Sequence, residues 1–163
     1  MDASATGGSG LKPLRICFVC LGNICRSPAA EAVLARLAAA DGLEVTIDSA
    51  GTSRYHLGES PHEHTRTEGS RRGIAVEHMA RQFAAADFDA FDVIVPMDRA
   101  NRRDLLHLAP TEAARRKVRM LRVEGEDIEV PDPWGLAPAA YADMFDLLET
   151  ACRQLLTDVR GSG

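Results

Sequence analysis

The chain has 163 residues, of which 45% are hydrophobic and 26% are charged, and its formal net charge is −5. This size and composition predict one soluble globular domain, and the negative charge argues against a nucleic-acid partner. The sequence contains no apolar run of the roughly 18 residues that a membrane helix needs, so we expect no membrane span.

The N-terminal residues 1–12 predict a flexible tail, because they are rich in Ser, Ala and Gly. They lack the basic and apolar regions of a secretory signal. We assign residues 13–160 to the folded domain. The default expectation is a cytoplasmic location, and export without a cleaved signal stays open.

The first predicted strand covers residues 14–19 and leads into Cys20-Leu21-Gly22-Asn23-Ile24-Cys25-Arg26-Ser27-Pro28. A helix over 29–40 follows, with Ser27 as its predicted N-cap and Pro28 at its first position. Apolar alternation and helical periodicity predict the later elements. These are strands over 43–48, 91–95 and 117–122, and helices over 60–72, 99–108 (capped by Asp98) and 138–159.

Strands that alternate with helices predict an α/β fold, with a four-stranded parallel sheet in a single domain and helices on both faces. In such sheets, ligands bind at the carboxyl ends of the strands. Cys20, the turn 49–53 and Asp98 follow three of these ends, and Asp132 lies in the loop after the fourth. We therefore expect the functional groups to meet on one rim of the sheet.

The stretch from Cys20 to Pro28 has the features of an anion-binding loop. It joins a strand to a helix, so its backbone N–H groups can converge on one point next to the positive end of the helix dipole. Gly22 permits a tight backbone, Asn23 tolerates the left-handed conformation, and Arg26 offers a planar fork for two phosphoryl oxygens. The same field stabilises the Cys20 thiolate, which predicts transfer of a phosphoryl group to sulfur.

Transfer to sulfur creates a leaving group that needs a proton, so a general acid must face Cys20. Asp132, in the pair Asp132-Pro133, lies on the predicted rim. From the residues alone, an acid and a simple turn are equally good interpretations of this pair.

The stretch Cys20-Leu21-Gly22-Asn23-Ile24-Cys25-Arg26-Ser27-Pro28 resembles the loop of the low-molecular-weight protein tyrosine phosphatases without a mismatch. The resemblance extends through the segments 48–52, 78–82, 91–98 and 132–133, and covers about residues 14 to 160. It implies a phosphotyrosine protein phosphatase I-like fold and hydrolysis of phosphotyrosine through a phosphocysteine on Cys20. It also implies that Arg26 binds phosphate and that Asp132 is the general acid and base.

The resemblance implies further site residues. The loop residues Leu21, Gly22, Asn23, Ile24, Cys25 and Ser27 would surround the phosphate or another oxyanion, and Ser49 and His78 would brace the loop. Tyr55 and His56 would form one wall of the substrate cleft and Trp134 the other. No cofactor and no metal are needed, because the loop and Arg26 neutralise the phosphoryl charge.

Two features depart from the family. Gly135 stands where a second aromatic residue usually follows Trp134, which weakens the prediction of substrate specificity. The segment 58–73 matches the family poorly, and we regard it as a candidate for partner choice. The partner that the family implies is a tyrosine-phosphorylated protein.

The four cysteines predict neither zinc nor a disulfide framework. Cys17 and Cys20 have the spacing of a zinc knuckle, but Phe18 and Val19 between them are strand residues, so no knuckle turn is available. Residues three apart in a strand also face opposite sides. Cys152 falls on the apolar stripe of the last helix. Because the loop curls around one anion, we also predict that Cys25 can approach Cys20 and form a reversible disulfide with it after oxidation.

Three alternative functions stay open. An arsenate reductase of the same fold would need two more cysteines after the third strand, and none lies between Cys25 and Cys152. An arginine phosphatase would resemble this loop with a threonine in place of Ile24. A non-enzymatic phosphate-binding module would be expected to have lost Cys20 or Asp132.

Overall fold

The computed structural model describes residues 13–162, and three parallel strands form the centre of this part of the chain. The strands are β1 (Leu14–Cys20), β2 (Val45–Gly51) and β3 (Val93–Pro96), in the order β2-β1-β3. Strand β1 is buried from Ile16 to its end because it pairs on both edges and is covered on both faces.

Six helices and one short hairpin complete the described residues. The helices are α1 (Arg26–Ala40), α2 (Glu63–Arg71), α3 (Asp87–Ala90), α4 (Arg99–Leu108), α5 (Glu112–Arg115) and α6 (Pro138–Ser162). The hairpin pairs β4 (Arg122–Val123) with β5 (Glu126–Asp127). Within residues 13–162, no helix has both the length and the apolar character needed to cross a membrane.

Alternating residues of β1 supply two separate cores. Phe18 and Cys20 pack into the core that α1 and α6 cover, whereas Cys17 and Val19 pack into the core under α3, α4 and α5. The opposite orientation of Cys17 and Cys20 follows from the period of two in a strand. Cys152 is fully buried in the first core, and all four cysteines are free thiols.

The prediction of a fourth parallel strand is wrong, because the segment 117–122 makes only one bridge to the parallel sheet, from Val118 to Ile94. Ile94 donates to Lys117 O (2.9 Å) and accepts from Arg119 N (2.9 Å). The next donor on that edge of β3 would be Pro96, two residues further along, and proline has no N–H. The ladder therefore ends, and the chain turns into the β4–β5 hairpin.

Several predicted boundaries also moved. Helix α1 begins at Arg26, with Cys25 as an N-cap that makes no side-chain hydrogen bond, so the prediction of Ser27 as N-cap is wrong. Strand β2 includes Ser49 and Gly51, for which the sequence predicts a turn. Asp98 caps α4 as predicted, since its carboxylate accepts from Asn101 N at 2.8 Å. The predicted tail over 1–12 lies outside the described residues, and the domain bounds stay a prediction.

Candidate active site

A cavity of about 370 Å³ opens at the carboxyl end of β1, where the sequence predicts the site. The loop between β1 and α1 forms one part of its lining, and the loops after β2 and before α6 form the rest. The lining residues are Cys20, Leu21, Gly22, Asn23, Ile24, Cys25, Arg26, Tyr55, His56, Asp132 and Trp134.

The Cys20 thiol lies among hydrogen-bond donors. Its Sγ accepts from Asn23 N at 3.2 Å and lies 3.0 Å from Ser27 Oγ. Ser27 Oγ also accepts from Asn23 Nδ2 at 2.8 Å, so its own proton is available to sulfur at 3.0 Å or to the more distant Ala50 O at 3.5 Å. Asn23 adopts the left-handed conformation (φ 58°), so its N–H turns back towards Cys20. Donors that face sulfur favour a thiolate, which is the nucleophilic form.

The Arg26 guanidinium is buried, and hydrogen bonds to Asp98 and Val130 hold it in place. Its Nη1 donates to Asp98 Oδ2 at 2.7 Å and to Val130 O at 3.1 Å, and its Nη2 lies 3.7 Å from Asp132 Oδ2. Burial opposes the charge, but Cys20 and the two aspartates hold the pKa of Arg26 above its ordinary value. A guanidinium with one edge fixed in this way is pre-organised for oxyanion binding.

The Asp132 carboxylate lies at the mouth of the cavity, with its side chain 46% exposed. Its Oδ1 accepts from Trp134 N at 3.1 Å, and this contact orients the group. The 3.7 Å separation of its Oδ2 from Arg26 exceeds an ordinary hydrogen bond. The carboxyl group is therefore free to exchange a proton with a bound molecule or with water.

Aromatic side chains flank the opening. Tyr55 is 75% exposed and Trp134 is 58% exposed, although both line the cavity. The His56 ring packs so closely over Gly22 that a Cβ there would lie 2.9 Å from His56 Cδ2. His56 Nδ1 lies 3.1 Å from Glu59 Oε1, which fixes the ring in the wall.

A second group of side chains lies behind the loop. Asn23 Nδ2 donates to Ser49 Oγ (3.1 Å) as well as to Ser27, while Asn23 Oδ1 accepts from Arg81 N (3.0 Å). Since the Arg81 N–H can only donate, it fixes the orientation of the Asn23 amide. His78 Nε2, 2.9 Å from the same Oδ1, must then carry a proton. Gly51 lets β2 approach this loop, because a Cβ there would lie 2.8 Å from Leu21 O.

Glu31 completes this network and is a residue that the sequence analysis missed. Its Oε1 accepts from Ser49 Oγ at 2.7 Å and lies 3.3 Å from His78 Nδ1. Burial raises the pKa of Glu31 to about 7, and burial also lowers the pKa of His78. A protonated Glu31 facing the unprotonated Nδ1 of a neutral His78 satisfies both groups. The available signal was weak: a lone acidic residue five positions after Arg26.

Glu31, Asp48 and His78 bring ligand atoms within 4.8 Å of one another, a geometry that could hold a metal ion. However, Ser49 donates to Glu31, and Arg81 Nη2 pairs with Asp48 Oδ2 at 3.0 Å. The arginine charge opposes a cation at this position. We therefore assign these side chains to hydrogen bonding within the network.

Cys25 lines the cavity, but its thiol also contacts the first core. Its Sγ lies 3.9 Å from the hydroxyl of the buried Tyr141. Burial raises the pKa of the Cys25 thiol to about 11, so this thiol stays protonated near neutral pH. Cys20, by contrast, lies among hydrogen-bond donors.

The structure thus divides the residues that the sequence singled out into two groups. Eleven of them line the cavity, and Ser27, Ser49 and His78 lie behind the loop and bind it through Asn23. Asp98, for which the sequence predicts only a helix cap at this rim, is also the partner of Arg26. Its signal was an N-cap aspartate at the end of β3, on the same rim.

Comparisons with known proteins identify the family of the chain. Residues 15–162 match the model of the family described as low molecular weight phosphotyrosine protein phosphatase. A low molecular weight protein-tyrosine-phosphatase from Streptomyces coelicolor is 41% identical over 153 residues, which cover 90% of this chain and 93% of the relative.

Solved structures also match. A protein tyrosine phosphatase from Entamoeba histolytica superposes with a TM-score of 0.87 and 36% identity, covering 91% of this chain and 98% of that one. The YwlE arginine phosphatase from Bacillus subtilis superposes with a TM-score of 0.83 and 28% identity, covering 90% and 96%. Since neighbours of both activities share the fold, residues of the cavity must decide the substrate.

Proposed function

The chain belongs to the low molecular weight phosphotyrosine protein phosphatase family, and we propose that it hydrolyses phosphotyrosine in proteins, and small aryl phosphates, through a phosphocysteine on Cys20. The observation that carries the proposal is the meeting of Cys20, Arg26 and Asp132 in one cavity with aromatic walls.

In the first step, the Cys20 thiolate attacks phosphorus and the bond from phosphorus to the tyrosine oxygen breaks. Asp132 gives its proton to that oxygen, so tyrosine leaves as a neutral phenol. Arg26 and the loop N–H groups bind the equatorial phosphoryl oxygens, where charge is stabilised in the transition state.

In the second step, Asp132 takes a proton from water, and the water oxygen attacks phosphorus. The bond from phosphorus to Cys20 breaks, which returns the thiolate and releases inorganic phosphate. Asp132 ends protonated, as it began. The residues of the cavity therefore supply every proton transfer in the cycle.

The lining of the cavity supports an aryl substrate. The exposed aromatic side chains of Tyr55 and Trp134 line it, and Ile24 contributes an apolar side chain. A phosphoserine is shorter and has no ring to contact these walls. We extend the proposal to a cytoplasmic location, which the four free thiols support.

The first test compares turnover of phosphotyrosine, phosphoarginine and phosphoserine peptides of otherwise identical sequence. We expect phosphotyrosine to have the highest kcat/KM, and Cys20→Ser to abolish turnover while the fold is retained. A preference of the wild type for phosphoarginine would refute the substrate assignment. A Cys20→Ser protein with a tenth of the wild-type turnover would refute the mechanism.

The second test addresses the role of Asp132. Asp132→Asn should lower kcat by roughly 10²–10⁴-fold for phosphotyrosine, and by less for aryl esters whose leaving group needs no proton. Asp104→Asn, on the exposed surface of α4, is the matched control and should change neither value. Equal losses across leaving groups of different basicity would remove Asp132 from the role of acid.

A further inference from the structure

Large hydrophobic side chains that are exposed to solvent are concentrated around the cavity mouth. Among residues 13–162, seven such side chains are found, and only Leu108, at the end of α4, belongs to an element away from the mouth. The other six form what we call the apolar collar: Leu21, Tyr55, Leu57, Met79, Trp134 and Leu136.

Three members of the collar do not line the cavity itself. Leu57 is 46% exposed and follows His56 in the chain. Leu136 is 58% exposed, and its N–H donates to Pro133 O at 2.9 Å, which closes a turn around Trp134. Met79 is 69% exposed. Two backbone hydrogen bonds of its neighbour Ala80, with residues 58 and 59, place it beside the wall loop.

Single exposed apolar residues are ordinary, but six around one opening are typical of a binding surface. Charged groups nearby do not favour an acidic partner, because the carboxylate of Glu59 lies against His56 and Asp132 is itself acidic. Arg54 is the one basic residue in the wall loop 53–59.

The occupant follows from the position of the collar. A phosphotyrosine that enters the cavity carries its own peptide chain, and that chain must cross the mouth. At about 3.3 Å per residue, the two or three residues on each side of the phosphotyrosine span roughly 10 Å and therefore lie on the collar. The surface is thus continuous with the catalytic cavity and is covered whenever a protein substrate is bound.

We propose that the apolar collar binds hydrophobic side chains next to the phosphotyrosine, so that the enzyme selects phosphotyrosines in an apolar sequence context. This inference rests on the proposed function of the same cavity. Leu57, Met79 and Leu136 are the residues that determine specificity, because they do not line the cavity in which a small aryl phosphate such as p-nitrophenyl phosphate would bind. Burial of one apolar side chain at a partly open surface should change kcat/KM by roughly 3- to 10-fold.

The test uses three phosphotyrosine peptides with Leu, Asp or Ser at the two positions on each side. We expect the wild-type kcat/KM to be roughly 10-fold higher for the Leu peptide than for the Asp peptide. The substitutions Leu57→Ser, Met79→Ser and Leu136→Ser, alone and combined, should reduce the ratio of kcat/KM for the Leu peptide to that for p-nitrophenyl phosphate. Leu108→Ser is the matched control and should leave this ratio unchanged.

The outcomes separate the collar from the proposed function. Turnover of all three peptides at equal rates, or with a preference for the Asp peptide, would refute the proposed role of the collar but not the phosphatase activity. Failure to turn over any phosphotyrosine peptide would remove both. A third outcome would be self-association of the wild type at high concentration, abolished in the triple variant, with no preference among the three peptides. That outcome would assign the surface to a second copy of the chain and overturn the proposal.

Discussion

Asn23 offers the sharpest test of how the loop is held. Its amide makes four hydrogen bonds, two as donor to Ser27 and Ser49 and two as acceptor from His78 and Arg81. It is only 1% exposed, and its φ of 58° lies in the left-handed region. Substitution therefore removes a side-chain network and, for most residues, strains the backbone.

The two effects can be separated with Asn23→Gly and Asn23→Ala. Both variants leave the Arg81 N–H and His78 Nε2 without their acceptor, and each buried group left unpaired costs about 1–3 kcal/mol. Alanine adds roughly 1–2 kcal/mol for the left-handed backbone, which glycine adopts freely. We expect the glycine variant to lose roughly 2–6 kcal/mol of unfolding free energy and the alanine variant about 1–2 kcal/mol more.

Urea unfolding and thermal melts measure these losses, since each 1 kcal/mol shifts the Tm of a domain of this size by about 2–4 °C. In both variants Ser27 Oγ is also released from Asn23, so its proton no longer points reliably at Cys20. We expect kcat for p-nitrophenyl phosphate to fall by roughly 10–100-fold in both. An Asn23→Ala protein with Tm within 2 °C of wild type and kcat within about twofold would show that the network does not hold the loop.

Three further substitutions test other parts of the site. The pKa of Glu31 is raised from 4.5 to about 7, so the folded state binds the Glu31 proton more tightly than the unfolded state does. This proton binding stabilises the fold at low pH, and the stabilisation is lost as pH rises from about 4.5 to 7. The unfolding free energy of Glu31→Gln relative to wild type should therefore rise by roughly 3 kcal/mol between pH 4 and 8, and a flat difference would contradict the assignment. Ile24→Thr should raise the ratio of kcat/KM for phosphoarginine to that for phosphotyrosine by roughly 10-fold, because a hydroxyl replaces an apolar group in the cavity. Peroxide should convert Cys20 to a sulfenic acid, which the Cys25 thiol captures as a disulfide with release of water. Activity should return with added thiol in wild type but not in Cys25→Ser. Two results together would refute this prediction: full recovery of activity in Cys25→Ser, and no Cys20–Cys25 disulfide-linked peptide in the mass spectrum of oxidised wild type.

The local chemistry of the loop could be predicted from the sequence because it depends on residues close together in the chain. A strand, a glycine, an asparagine, an arginine and a helix within thirteen positions constrain one another through backbone geometry. The predicted rim also follows from topology, since parallel strands bring their carboxyl ends to one edge. These are the parts of the structure that agree most closely with expectation.

The errors come from effects that a local pattern does not contain. The segment 117–122 has the composition of a strand, but Pro96 on its partner removes the donor that would continue the ladder. Serine is a common N-cap residue, but α1 begins one residue before Ser27. The Ser27 hydroxyl instead makes hydrogen bonds with Asn23 and Cys20. In both cases a contact distant in sequence, or a competing hydrogen bond, outweighs the local preference.

Asp98 shows why partners of a catalytic group are harder to predict than the group itself. Arg26 lies close to two carboxylates, and a full ion pair with Asp132 would hold that carboxylate in its ionised form, in which it cannot donate a proton. The 2.7 Å contact of Nη1 with Asp98 occupies the guanidinium instead, and Nη2 remains 3.7 Å from Asp132. The arginine is thus fixed for phosphate by one aspartate while the other stays free for proton transfer. Nothing in the spacing of Asp98 and Asp132 along the chain distinguishes these two roles, because they arise from which oxygen lies nearer to which nitrogen.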